Sequence, residues 1–126
     1  MTAMGRPLIV AGAMLGFTGV AAGAFGAHAL RGRLGDERLA TFRTGAEYQL
    51  WHAVATVAVA VVAARWHSGW AATGGWLFVA GTLTFSGSLY ALAWTGSRRL
   101  GAVTPIGGVL LLAGWVCVLV GALAPE

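Results

Sequence analysis

The chain has 126 residues, of which 58% are hydrophobic and only 10% are charged. A soluble domain carries about 25% charged residues, so this chain cannot cover a water-facing surface. We therefore predict one integral membrane domain over residues 1–126. The formal net charge is +4, but the arginines lie between apolar segments and form no aromatic-basic patch. This pattern argues against nucleic-acid binding and is typical of a lipid-embedded protein.

Four apolar segments approach or exceed the length of about 20 residues that a membrane-spanning helix needs. They cover residues 7–30, 48–64, 71–94 and 105–124, and the second is the shortest. Pro7 and Pro105 suit helix starts, because a proline in the first turn removes no intrahelical hydrogen bond. The predicted fold is an all-α, compact antiparallel four-helix transmembrane bundle.

Glycines recur at helical spacing within these segments. A glycine in a water-exposed helix costs about 1 kcal/mol relative to alanine, whereas in a membrane it lets two helix backbones approach closely. We therefore interpret the glycines of the first and fourth segments as helix-packing positions. They are Gly12, Gly16, Gly19, Gly23 and Gly26 in the first segment, and Gly107 and Gly114 in the fourth.

The connection between the first and second segments has two interpretations. Leu34, Arg38, Thr41, Phe42 and Gly45 are spaced as on one helix face. The connection is therefore either a short helix lying on the membrane surface or a helical extension of the second segment.

Tryptophans occupy two kinds of position. Trp66, Trp70 and Trp94 lie near segment ends, where aromatic residues favour the membrane–water interface. Trp115 lies near the middle of the fourth segment. Its indole N–H therefore requires a partner in the bundle or in another subunit.

A polar cluster at the start of the second segment is the candidate site. Ionisable groups at membrane depth are costly and are functional hypotheses by default. The cluster consists of Arg43, Glu47, Tyr48, Gln49 and His52, with His28 at the end of the first segment. Three interpretations are open: satisfaction of buried polar groups, a proton or ion path, and metal or haem ligation by His28 and His52.

Catalysis has little support in the sequence. There is no serine nucleophile elbow, His-Glu-x-x-His zinc motif or phosphate-binding P-loop, and the spacing of the histidines matches no metal motif. We therefore predict a non-enzymatic protein with no metal and no other cofactor. Cys117 is the only cysteine and lies in an apolar run, as a small buried hydrophobic residue does.

Four sequence blocks resemble a known family. They are GAFGAH at residues 23–28, TGAEYQ at 44–49 followed by His52, FSGSLY at 85–90, and TPIGG at 104–108 with AGW at 113–115. In order and over nearly the whole chain, they are similar to the YgdD/YwdK-like family of unknown function (DUF423), which has a eukaryotic relative called transmembrane protein 256. The resemblance implies a small four-span protein of the bacterial inner membrane, and it supplies no catalytic residues. The family pattern includes the positions of His28, Glu47, Tyr48, Gln49 and His52.

Two functional hypotheses follow. The first is an accessory or assembly partner of a larger membrane complex, or a homo-oligomer, acting through helix packing in the lipid bilayer. The alternative is a small proton-linked transporter or channel that uses Glu47, His52 and His28.

The arginine distribution predicts the orientation in the membrane. The first and third connections together hold six arginines and the other side holds two, Arg6 and Arg65. The positive-inside rule then places both termini outside the cytoplasm. A cysteine introduced at Gly35 is expected to react with a membrane-impermeant maleimide only in inverted vesicles. Labelling of intact cells at Gly35 would contradict this orientation.

Overall fold

The computed structural model describes residue 3 and residues 5–124, and these are almost entirely helical. The first spanning segment consists of α1 (Gly5–Val20), a π-helical stretch (Ala21–Gly26) and the short α2 (Ala27–Leu30). It is followed by α3 (Asp36–Trp66), α4 (Gly69–Thr95), a 3₁₀ turn (Arg98–Ala102) and α5 (Thr104–Leu123). Four helical segments are long and apolar enough to cross a membrane. The prediction of an all-α membrane protein with four spans is confirmed.

The second spanning helix begins earlier than its hydropathy suggests. The apolar run starts near residue 48, but α3 begins at Asp36 and, with 31 residues, is the longest helix. Charged residues in the first turns interrupt the apolar pattern without interrupting the backbone hydrogen bonds, and Asp36 and Glu37 favour a helix N-terminus. Of the two interpretations of the connection, the structure therefore shows the helical extension and not a separate interfacial helix.

Short connections hold α3, α4 and α5 antiparallel. Only His67 and Ser68 separate α3 from α4. His67 adopts the left-handed conformation (φ 52°) that ends a helix, and Ser68 Oγ accepts a hydrogen bond of 3.2 Å from the amide of Ala71. Gly96 ends α4 with φ 69°, and the Arg38 guanidinium lies against it. A cation at this position interacts favourably with the negative end of the α4 dipole.

The helices pack in chain order, with α3 and α4 at the centre. α1 packs on α3, and α5 packs on α4. The N-terminal end of α1 also contacts α4. There the fully buried Leu8 of α1 fills the space beside Gly75 of α4. Within the described residues, α1 and α5 do not pack against each other. They occupy the two outer positions of the bundle.

The glycines of the first span lie along α3. A methyl group added at Gly12 would lie 2.7 Å from Val57 Cγ2, and one added at Gly19 would lie 3.0 Å from Leu50 Cδ2. Gly16 and Gly23 have more room, since an added methyl group would lie 3.7–3.8 Å from its nearest neighbour. At Gly26 the nearest neighbour would be the ring of Phe42, at 3.1 Å. Close approach of α1 to α3 therefore depends most on Gly12 and Gly19.

α4 and α5 approach through a second set of glycines. A methyl group on Gly74 would lie 2.9 Å from the Gly114 carbonyl oxygen, and one on Gly114 would lie 2.7 Å from the Phe78 ring. A methyl group on Gly107 would overlap the backbone of Phe85. Phe78 is fully buried, so its ring cannot move aside without displacing the core.

The close contact between α4 and α5 predicts different effects on stability for two glycine substitutions in α5. Gly114→Ala should destabilise the protein by about 1–3 kcal/mol, because the added methyl group overpacks the core. Gly108→Ala is the matched control, since its methyl group would lie 3.9 Å from Phe85, an ordinary contact. It should be neutral or slightly stabilising, because alanine favours the helix. Unfolding in mixed detergent micelles measures both, and equal stabilities of the two variants would contradict this packing.

Candidate functional site: a buried polar network

Gln49 lies at the centre of a hydrogen-bond network in the membrane-spanning region. Its side chain, on the inward face of α3, is only 5% exposed. The amide nitrogen donates to the Leu15 carbonyl oxygen at 2.9 Å and to Thr18 Oγ1 at 2.7 Å, both in α1. The amide oxygen accepts from the Tyr90 hydroxyl of α4 at 2.6 Å. Gln49 therefore joins three helices, and both its N–H groups are used.

His52 lies one turn further along the same face and joins α3 to α5. Its Nδ1 is 2.8 Å from the Tyr48 carbonyl oxygen, and its Nε2 is 3.1 Å from Trp115 Nε1. A carbonyl oxygen only accepts and an indole N–H only donates. Nδ1 therefore carries the proton, Nε2 accepts, and His52 is neutral in this geometry. Trp115 thus has its partner within the bundle.

Two further hydrogen bonds connect neighbouring helices. Ser86 Oγ of α4 donates to the Gly45 carbonyl oxygen of α3 at 2.7 Å, and Ser88 Oγ lies 2.6 Å from Thr104 Oγ1 of α5. Each spanning helix is thus linked to another by a side-chain hydrogen bond. Lipid offers no hydrogen-bond partners, so these bonds satisfy polar groups that water would satisfy in a soluble protein.

Aromatic rings pack around the polar network. The ring centroids of His52 and Phe78 are 5.4 Å apart, those of Phe78 and Trp115 are 4.7 Å apart, and those of Tyr48 and Phe85 are 4.6 Å apart. These distances fall in the favourable range for aromatic pairs. The rings of Phe78 and Trp115 pack against the imidazole of His52, which is only 7% exposed.

The structure divides the predicted polar cluster between two environments. Gln49 and His52 are buried, whereas Tyr48 is 43% exposed, and Arg43, Glu47 and His28 are exposed. The reason is helical geometry: at 100° per residue, positions 49 and 52 share a face that positions 43 and 47 do not. Proximity in sequence placed these residues in one cluster, but the helix separates them.

Several members of the network were not among the predicted site residues. Thr18 Oγ1 accepts a hydrogen bond from Gln49 of α3, whereas Ser86 and Tyr90 of α4 donate hydrogen bonds to α3. Ser86 and Tyr90 lie in the block at residues 85–90 that carries the family resemblance, so a signal was present. Their partners were not predictable, because pairing depends on how α1 and α4 rotate against α3.

Few side chains of the network are free to bind a metal ion or to react with a substrate. Among residue 3 and residues 5–124, no group of three or more His, Cys, Asp or Glu side chains is placed to hold a metal ion. Both nitrogens of His52 are engaged, and His28 is exposed at the end of the first span. The geometry instead suits mechanical linkage of the helices.

Comparisons with known proteins agree with the predicted family. The profile of a family described as "Protein of unknown function (DUF423)" matches residues 22–108. The chain is 41% identical to the membrane protein YwdK of Bacillus subtilis over 93% of this chain and 96% of YwdK. It is 43% identical to the inner membrane protein YgdD of Escherichia coli K12 over 94% of this chain and 90% of YgdD. No solved structure matches the chain.

These relatives confirm the predicted location. Membrane proteins at this identity over most of both chains, together with the four spanning helices, identify a multi-pass protein of the bacterial inner membrane.

The network predicts a stability difference between two conservative tyrosine substitutions. Tyr90→Phe removes the hydroxyl that donates to Gln49 and should cost about 0.5–2 kcal/mol. Tyr48→Phe is the matched control, because the Tyr48 hydroxyl takes no part in the network and the side chain is partly exposed. It should change stability by less than about 0.5 kcal/mol. Unfolding in micelles measures both, and a Tyr48→Phe variant as unstable as Tyr90→Phe would contradict the network.

Proposed function

The chain belongs to the DUF423 family of membrane proteins of unknown function, and from that premise we propose that it is a non-enzymatic helix-packing protein. It acts as an accessory or assembly partner of a larger membrane complex, or as a homo-oligomer. The contact surface is an apolar groove between α1 and α3 on the outer side of the bundle, which we call the α1–α3 groove. A transmembrane helix of another subunit docks there.

The composition and size of the α1–α3 groove are the main support for this proposal. Its volume is about 490 Å³. Small residues form much of its lining, and larger aliphatic side chains complete it. Small residues let a second helix approach the backbone closely, which is how membrane helices associate. The lining residues are Gly12, Ala13, Gly16, Val20, Leu50, Ala53, Val54, Val57 and Ala58.

The engagement of both ring nitrogens of His52 in hydrogen bonds also favours a packing role. A proton path needs groups that can accept and release a proton in succession. Protonation of His52 at Nε2 would place two N–H groups against each other and break the hydrogen bond from Trp115. Glu47 and His28, the other members of the proposed path, are exposed on the outside of the bundle. Transport therefore receives less support than helix packing.

The test must avoid glycines that the protein uses for its own fold. Gly12 and Gly19 face α3 so closely that larger residues there would disturb α1–α3 packing before any partner was involved. Gly19→Leu is thus expected to lower stability and is a poor probe of assembly. Ala13 is better suited, because it is exposed and lines the groove.

We expect Ala13→Phe to fill the groove and release the protein from its assembly. The measurement is the native mass and subunit composition after gentle detergent extraction from the protein's own membrane. The parent protein should migrate well above the mass of one chain, and Ala13→Phe should shift to the single chain. Composition then distinguishes a second copy from a different subunit.

Met14→Phe is the matched control. Met14 neighbours Ala13 on α1, is 65% exposed and does not line the groove. This variant should assemble as the parent does. A parent protein that extracts as a single chain, or an Ala13→Phe variant that assembles normally, would contradict the proposal.

A further inference from the structure

A polar pocket lies at the end of the bundle where α3 begins and α4 ends. Its volume is about 400 Å³, within the range of about 300–1,000 Å³ that is common for ligand sites. The first turns of α3, the last turns of α4 and the 3₁₀ turn (Arg98–Ala102) form its walls. We call it the α3–α4 pocket, and it shares no lining residue with the α1–α3 groove.

Two arginines from different elements give the pocket its charge. Arg38 lies in the first turn of α3 and Arg98 begins the 3₁₀ turn, and both are exposed. Glu37 is the one acidic residue of the lining, so the lining carries a formal charge of +1. Among the described residues, no carboxylate oxygen lies within 4.0 Å of an arginine nitrogen. Neither guanidinium is therefore neutralised by a direct ion pair there, and the pocket favours an anion.

The end of α4 holds the Arg38 guanidinium at the wall of the pocket. Gly96 ends α4 with φ 69°, a conformation that glycine adopts without strain. A methyl group added at Gly96 would overlap the Arg38 guanidinium, so the guanidinium occupies the space that a side chain at residue 96 would need. The carbonyl end of α4 also attracts this cation. One of the two charges is thus positioned by the contact between α3 and α4.

The walls change from apolar to charged along the pocket. Leu92 and Ala93 line it from the last part of the third apolar segment, residues 71–94, where Leu92 is half-buried and Ala93 is buried. Arg98 follows that segment in the connection, and Arg38 precedes the apolar part of α3. A phospholipid has the same order of parts, because its apolar chains lead to a glycerol and then to a phosphate.

From these observations we propose that the α3–α4 pocket binds an anionic phospholipid with a hydroxyl-bearing headgroup, of which phosphatidylglycerol is the simplest. The Arg38 and Arg98 guanidiniums donate to the phosphate oxygens, since their planar N–H groups match the geometry of a phosphate. A headgroup hydroxyl donates to the Glu37 carboxylate, which would repel a second phosphate. Basic pockets between membrane helices are typical sites for anionic headgroups. The proposal does not depend on a helix docking in the α1–α3 groove.

Lipid binding to the full chain in detergent tests the proposal. Native mass spectrometry measures dissociation constants for phosphatidylglycerol, phosphatidylethanolamine and phosphatidylcholine with identical acyl chains. All three carry a phosphodiester, but only phosphatidylglycerol has a net negative charge. It should bind the parent protein about tenfold more tightly than either zwitterionic lipid. Equal affinities for the three lipids would overturn the proposal.

Soluble phosphates distinguish a lipid headgroup from a free anion. Glycerol 3-phosphate and inorganic phosphate present the same charged group without acyl chains to lie along the apolar wall. Neither should displace phosphatidylglycerol at millimolar concentration. Displacement by either one would assign the pocket to a soluble phosphate and would overturn the lipid proposal.

Arg98→Gln and Arg99→Gln are a matched pair of variants. Both residues are exposed in the 3₁₀ turn and both substitutions remove one charge, but only Arg98 lines the pocket. Arg98→Gln should weaken phosphatidylglycerol binding about tenfold, because it removes a charge-assisted hydrogen-bond donor. Arg99→Gln should change binding by less than about twofold. Equal phosphatidylglycerol affinities of the two variants would contradict a defined site.

Thermal stability gives an independent readout. Without added lipid, both variants should melt as the parent does, because substitutions of exposed side chains change stability little. Added phosphatidylglycerol should raise the melting temperature of the parent and of Arg99→Gln more than that of Arg98→Gln. High salt should reduce the rise, since it screens exposed charges. A rise that neither salt nor Arg98→Gln reduces would overturn the proposal.

Discussion

The amide of Gln49 is the interaction on which the arrangement of the first three spans depends. A primary amide buried within a membrane-spanning bundle must find its partners in the protein, since lipid offers none. Gln49 finds them on α1 and α4 at once, at 2.6–2.9 Å. It reaches α1 because Gly19 has no side chain: a methyl group there would lie 3.3 Å from Gln49 Cγ. Close backbone approach and buried hydrogen bonding thus require each other.

Much of the fold was predictable from the sequence, because its main determinants are segment lengths and residue spacings along the chain. The spans follow from apolar length, the tight turn at His67 and Ser68 separates two of them, and glycine spacing indicates where helices approach. The early start of α3 was harder to predict. Asp36, Glu37 and Arg38 lower hydropathy, yet helix formation depends on backbone bonds that these residues allow. Hydropathy reports the position of the membrane, whereas the helix extends beyond it.

The candidate site was only partly predictable. Gln49 and His52 were recognised because polar residues inside an apolar helix are conspicuous. Thr18 gave no such signal, since a threonine in a membrane helix normally donates to its own backbone, as Thr18 itself does to the Met14 carbonyl oxygen. Whether such a hydroxyl also accepts a hydrogen bond from a neighbouring helix depends on how the helices pack, and the local sequence does not show this. Trp115 shows the opposite case: its need for a partner was predictable, but the choice of His52 was not.

The order of the partners along the chain has a consequence for biogenesis. Membrane helices enter the bilayer from the N-terminus onward during synthesis. When α3 arrives, α1 is already present, so the amide of Gln49 can bond to Leu15 and Thr18 at once and need not cross lipid unpaired. His52 can satisfy Nδ1 within its own helix, through the carbonyl oxygen of Tyr48, while Nε2 waits for Trp115 on the last helix. The amide nitrogen of Gln49 is therefore paired as soon as its own helix arrives, whereas its amide oxygen, like Nε2 of His52, is paired only when a later helix has been made.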